Sequence, residues 1–137
     1  EAAISADGRW GVATVYGTQV PGNQLAVLDL ATKAVVRTID LGEYTRPHDV
    51  EFIPGTATKV LVTSEATRRI VRVDIVTGTV ESTIATDAQG SHMLGITGDG
   101  RRAFTANVGS GSVTSRTAAA ATGRPAAQRI ASITSLM

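Results

Sequence analysis

The chain of 137 residues contains no cysteine, so disulfide staples and thiolate metal centres are both excluded. Aromatic residues make up only 4% of it, which leaves few rings for stacking on nucleobases or for filling a helical core. No run of about 18 apolar residues occurs anywhere, so no apolar segment has the length of a membrane-spanning helix. The opening residues Glu1 to Gly8 lack a basic stretch followed by an apolar one, so no signal peptide is read in them. Acidic residues are missing altogether after Asp99. Residues 1 to 113 carry ten Lys or Arg against twelve acids, whereas residues 114 to 137 carry three Arg and no acid, so the near-neutral total hides a basic C-terminal stretch. No Walker motif, no H-E-x-x-H and no G-x-S-x-G elbow is present. Gly98-Asp99-Gly100-Arg101-Arg102-Ala103 satisfies G-x-G-x-x-A only formally, because a strand pattern follows it where a dinucleotide site needs a helix.

What the chain does contain is a phrase written twice. Pro47-His48-Asp49-Val50-Glu51-Phe52 and Ser91-His92-Met93-Leu94-Gly95-Ile96 place their histidines 44 positions apart. Around them the same order of elements recurs. A Ser/Thr-x-Asp-Gly turn is found at Ser5-Ala6-Asp7-Gly8 and at Thr97-Gly98-Asp99-Gly100, altered to Ile53-Pro54-Gly55-Thr56 in the middle copy. Apolar second strands begin at Trp10, Lys59 and Arg102, and third strands end at Asp29 and Asp74. Outer strands around Val35 to Ile39 and Val80 to Ile84 alternate polar with apolar residues, as a rim wet on one side requires. The continuous apolar runs of the second strands suit strands covered on both faces. A period in the forties with four short strands per unit is the signature of propeller blades. The fold class predicted is all-β: a partial β-propeller of about two and a half four-stranded antiparallel blades. Blade 1 covers about residues 1–46 and blade 2 about 47–90, while blade 3 starts at 91 and runs to 113.

These repeats resemble the YVTN-type β-propeller family, whose blades read roughly Pro-His-Gly-Val, a Pro-Asp-Gly turn, Tyr-Val-Thr-Asn, then a strand ending in Ile-Asp and a Thr-Gly-Lys turn. The matching residues are Pro47-His48-Asp49-Val50, Thr97-Gly98-Asp99-Gly100, Phe104-Thr105-Ala106-Asn107, Leu28-Asp29 with Ala31-Thr32-Lys33, and Asp74 with Thr77-Gly78. The resemblance covers residues 1 to about 113 and implies a piece of a seven-bladed ring in a periplasmic or secreted protein. It also implies that further blades, or self-association, cover the open sheet edges. After Val113 the pattern stops. Residues 114–137, rich in Ala, Arg, Ser and Thr, are expected to be an atypical tail: frame-shifted or artificial, disordered, or a short helix using Ile130, Ile133 and Met137.

His48, Asp49 and His92 are the candidate ligand contacts, since the repeat places the histidines at the start of adjacent inner strands beside the central channel. The competing reading makes each histidine a loop cap repeated once per blade. Strict strand alternation would set Asp49 and Glu51 on the face opposite His48 and Val50. Two imidazoles without a third ligand do not complete a metal site, so no residue is assigned to a metal, no cofactor is called for and no catalytic residue is named. Arg68, Arg69 and Arg72 form a basic patch that would suit phosphate, a weak case for nucleic acid because no aromatic residue lies near it in sequence. Gly17 to Asn23 reads as a long turn, a place where propellers often put binding determinants. The function expected is a non-catalytic binding or scaffolding propeller with an unknown ligand or protein partner. The alternatives are the propeller domain of an extracytoplasmic oxidoreductase or lactone hydrolase with a central-channel site, and nucleic-acid binding through the arginines.

Overall fold

A computed structural model describes residues 1–118. They form three antiparallel sheets. The first contains β1 (Ala2–Ile4), β2 (Trp10–Gly17), β3 (Pro21–Asp29) and β4 (Ala34–Asp40) in that order. The second contains β5 (Pro47–Phe52), β6 (Lys59–Ser64), β7 (Arg69–Asp74) and β8 (Thr79–Ala85), again in chain order. The third contains β9 (Ser91–Ile96), β10 (Arg102–Asn107) and β11 (Ser112–Thr117). Each sheet is a meander whose strands pair with their sequence neighbours, which is how a propeller blade is built. The inner strands β1, β5 and β9 lie side by side. Among the described residues the molecule is thus all-β with open sheets of four, four and three strands, part of a propeller. No helix long and apolar enough to cross a membrane occurs among them.

The turns form for local reasons that repeat. In the first sheet the Ser5 hydroxyl donates to Asp7 Oδ1 at 2.6 Å and accepts the Trp10 N–H at 2.9 Å, while Asp7 Oδ1 also accepts the Arg9 N–H. Thr97 and Asp99 repeat this network on Arg101 and Arg102. Gly8 and Gly100 close these turns at φ of 71° and 69°, a region that glycine enters without steric cost. Asp29 Oδ1 accepts the N–H groups of Ala31 and Thr32, and Asp74 Oδ1 accepts those of Val76 and Thr77. The recurring aspartates are therefore turn acceptors that end the third strands.

Packing explains the apolar runs. Along β6, Val60 and Val62 face the first sheet, where they join Val12, Leu25, Val27, Ile39 and Leu41 in one core. Leu61, between them, faces the third sheet and joins Leu94, Ala103 and Ala118 in a second core. The strand is apolar at consecutive positions because it has a neighbour on each side. Among the described residues β10 has one such neighbour and alternates buried with exposed, leaving Phe104 39% exposed. The outer strand β4 is exposed at all but Ile39, and β8 has no buried residue, as a rim should be.

Two expectations need correction. The repeat was expected to end at Val113, but β11 continues to Thr117 and pairs along its whole length with β10, Arg102 opposite Thr117 and Asn107 opposite Ser112. Backbone pairing does not need apolar side chains. Thr114 finds Asn107 Nδ2 and the Thr86 carbonyl, and the buried Arg116 guanidinium finds the carbonyls of Ala85 and Thr86 together with Asp87. The rest of the expected tail, including Ile130, Ile133 and Met137, lies outside the described residues. The second correction concerns the long turn at 17 to 23. Most of it is ladder, with Gly17 paired to Pro21, and a Cβ on Gly22 would sit 2.0 Å from the Val15 carbonyl oxygen, so only glycine lets these strands approach.

Adjacent sheets are joined by side chains. Thr14 Oγ1 donates to the His48 carbonyl and Thr63 Oγ1 to the His92 carbonyl, each at 2.8 Å. Thr63 Oγ1 also accepts the Asp49 N–H at 2.9 Å. Thr63→Val keeps the shape but leaves a buried donor and an acceptor unpaired, an expected loss of about 1–3 kcal/mol. Urea denaturation checks this, and an unchanged midpoint would show that the threonine bridge contributes nothing.

Candidate functional site

Both histidines occupy the second position of an inner strand, and both sit at a bulge. In the second sheet Pro47 pairs with Ser64 and Val50 with Val62, so His48 and Asp49 together face Thr63. In the third, Ser91 pairs with Asn107 and Met93 with Ala106, so His92 is the extra residue. A bulge breaks the two-residue period and turns a side chain to a new direction. This is why alternation misplaces Asp49. Asp49 is buried whereas Glu51 is exposed, and the two do not share an environment.

The two imidazoles meet, their ring centroids 3.6 Å apart at 32°. Asp49 does not join them through its carboxylate, whose Oδ1 accepts the Val50 N–H and whose Oδ2 accepts the Leu94 N–H of the next sheet at 2.7 Å. Two residues that sequence reading passed over complete the cluster. Glu65, directly after β6, bonds through Oε1 to His92 Nδ1. Tyr16, near the end of β2, donates its hydroxyl to Glu65 Oε2 at 2.6 Å and meets the His48 ring edge-on with centroids 5.6 Å apart. Arg46, held at φ 56°, places its guanidinium 4.9 Å from the centre of the Tyr16 ring. Tyr16 and Glu65 stand at the same place in their blades, six residues beyond the equivalent strand starts Trp10 and Lys59. That positional match is the one signal in the sequence that finds them.

The site is thus made at a seam: the end of a second strand in one blade reaches the inner-strand histidine of the next. The polar atoms of His48, Glu65 and His92 all lie within 4.8 Å of one another, and each residue is half-buried. His48 Nδ1 is buried without a hydrogen-bond partner. Burial pushes the Glu65 carboxyl up, but its bonds from Tyr16 and His92 outweigh burial and hold it below its ordinary value of 4.5. The bond to that carboxylate, with burial, pushes the Tyr16 phenol above its ordinary 10.0. The cluster therefore presents an ionised, oriented carboxylate beside two imidazoles.

The arginine patch is divided. Arg72 Nε bonds Glu81 Oε2 at 2.9 Å and its Nη1 reaches the Ala118 carbonyl in the third sheet at 3.3 Å. Arg68 is exposed and sits at φ 56° in the turn before β7, which Arg69 begins. Glu81 also binds Lys59, which lies 3.5 Å from Asp74 Oδ2.

No protein-family model matches the chain, and no curated protein matches it. Among solved structures it is similar to a putative 6-phosphogluconolactonase from Bacteroides uniformis, with a TM-score of 0.61 and 17% identity over 77% of this chain. The chain spans 32% of that protein's length. It also matches Kuenenia stuttgartiensis hydrazine synthase with a TM-score of 0.45 and 13% identity, over 85% of this chain and 57% of that one. The first likeness, with the three meander sheets, defines the chain as propeller-like.

Two measurements test this description. A double-mutant cycle of Tyr16→Phe and Glu65→Ala, read by urea denaturation, is expected to give a coupling of about 1 kcal/mol, whereas additive effects would mean the two side chains do not meet. The second concerns pH. Glu81 is held below 4.5, chiefly by its bond from Lys59 and then by Arg72. Burial pushes Asp74 up, but bonds from Thr77, Val76 and Lys59 hold it below 3.8. Groups with a depressed folded value stabilise above their ordinary value and lose that contribution as the pH falls through the folded one. Stability is expected to decline below about pH 4.5, and Glu81→Gln to flatten the decline; an identical acid profile in the variant would contradict it.

Proposed function

We propose that the chain is a stretch of a larger, YVTN-type β-propeller that serves as a non-catalytic binding module, with its ligand contact at the seam between blades 2 and 3. The observation that carries this reading is the convergence of His48, Glu65 and His92, one polar atom from each within 4.8 Å of the others. Three half-buried polar groups from two blades, one of them a buried nitrogen without a partner, make a place where a small polar ligand gains hydrogen bonds. The repeated phrase and turns support the YVTN assignment, and with it an extracytoplasmic location. Ile4, Val15, Met93 and Phe104 are exposed on the outward faces of the first and third sheets, which supports further blades as the covering partner.

A lactone-hydrolysing parent is the second reading, favoured by the bonded Glu65–His92 pair, an arrangement that can move a proton. Nucleic-acid binding has no comparable support, since Arg72 is engaged with Glu81.

Imidazole resonances of the full chain, followed by NMR during titration with zinc, inorganic phosphate and gluconate, test the binding reading. At least one probe is expected to shift His48 and His92 saturably, with no hydrolysis of δ-gluconolactone above the buffer rate. Turnover lost in Glu65→Gln would replace the binding module with the hydrolase, and silence toward all three probes would remove the proposed contact.

A further inference from the structure

We infer that His48, Glu65 and His92 form a binding site for one divalent first-row transition ion, of the zinc class, shared between two blades. The inference deepens the binding reading above and rests on it.

Two imidazole nitrogens and one carboxylate oxygen are the donor set that zinc and its neighbours accept, whereas calcium and magnesium prefer oxygen alone. Three protein ligands leave a further position for water or an exogenous ligand, the pattern of an open rather than a closed site.

Ligand atoms around a tetrahedral ion at ~2.1 Å stand about 3.4 Å apart, so donors already within 4.8 Å of each other need only small side-chain rotations to close on one ion. The donors come from strand positions: the bulges of β5 and β9 and the residue immediately after β6. The backbone at each is anchored, the His48 carbonyl by Thr14, the His92 carbonyl by Thr63 and the Glu65 N–H by the Arg46 carbonyl.

Two further features point to a cation. His48 Nδ1 is buried with no hydrogen-bond partner although a second imidazole lies against its ring. A buried polar nitrogen without a partner is costly, and an ion held in the cluster would supply that partner. The Tyr16 hydroxyl bonds the other oxygen of Glu65, leaving Oε1 on the imidazole side. A bond of this kind to a ligating carboxylate fixes its orientation, and losing it typically weakens metal affinity 10- to 100-fold.

The test uses the full chain, stripped with a chelator and titrated with zinc by calorimetry and with cobalt by visible absorption. One equivalent is expected to bind, cobalt giving d–d bands of a four- or five-coordinate nitrogen and oxygen site. His48→Ala, His92→Ala and Glu65→Gln should each weaken binding at least tenfold, and Tyr16→Phe by about 10-fold or more. Circular dichroism on each variant verifies the fold, and Glu65→Gln preserves volume and hydrogen bonding, so loss of metal in a folded Glu65→Gln protein supports ligation. Unchanged stoichiometry and affinity in all four variants would overturn the site. Absence of zinc and cobalt binding, while phosphate or gluconate still shifts the two imidazoles, would overturn the metal and leave the binding module standing. Absence of any response would overturn both.

Discussion

Among the described residues neighbouring sheets share no backbone ladder, so their alignment depends on a few side chains that bond across the gap. Thr63 is the centre of that arrangement between the second and third sheets: one hydroxyl accepts from Asp49 N and donates to the His92 carbonyl. Asp49 reaches back across the same gap to Leu94 N. Apolar packing of Leu61 and Ile70 on Leu94 and Ala103 supplies the attraction, which is not directional. The hydrogen bonds supply the register, because a slip would strand buried polar groups. Thr14 repeats the bond one blade earlier on His48.

The candidate site is a by-product of this seam. Pinning the backbone of each histidine, beside a bulge that redirects its side chain, brings the imidazoles together and places them under the ends of the preceding second strands. Tyr16 and Glu65 are there because each lies two residues beyond the bridging threonine of its blade, Thr14 or Thr63. One position in the repeat thus holds a phenol in the first blade and a carboxylate in the second, and the difference makes the seam chemically asymmetric. At the first seam a ring meets a ring edge; at the second a carboxylate meets an imidazole.

Blade architecture was largely legible in the residues. Turn networks at Ser5 to Asp7 and Thr97 to Asp99, and acceptor aspartates at Asp29 and Asp74, are local, so a repeat in sequence becomes a repeat in space. The limits of legibility were equally physical. Thr114 to Thr117 carry no apolar signal, yet pair as a strand because β10 offers a ladder and the Arg116 guanidinium finds buried carbonyls. Asp49 had the spacing of a channel residue but became a bridge between sheets, since a bulge adds a residue that no alternation rule anticipates.

Composition and period by themselves determined the class of fold, the order of strands and the recurrence of the histidines, because each depends on contacts within about 45 residues of chain. Only the tertiary structure decided that Glu65, 17 residues from His48 and 27 from His92, belongs with them. The physical reason is that Glu65, just after the second strand of one sheet, meets His92 on the inner strand of the next only when those sheets pack face to face, and no spacing along one strand encodes that approach.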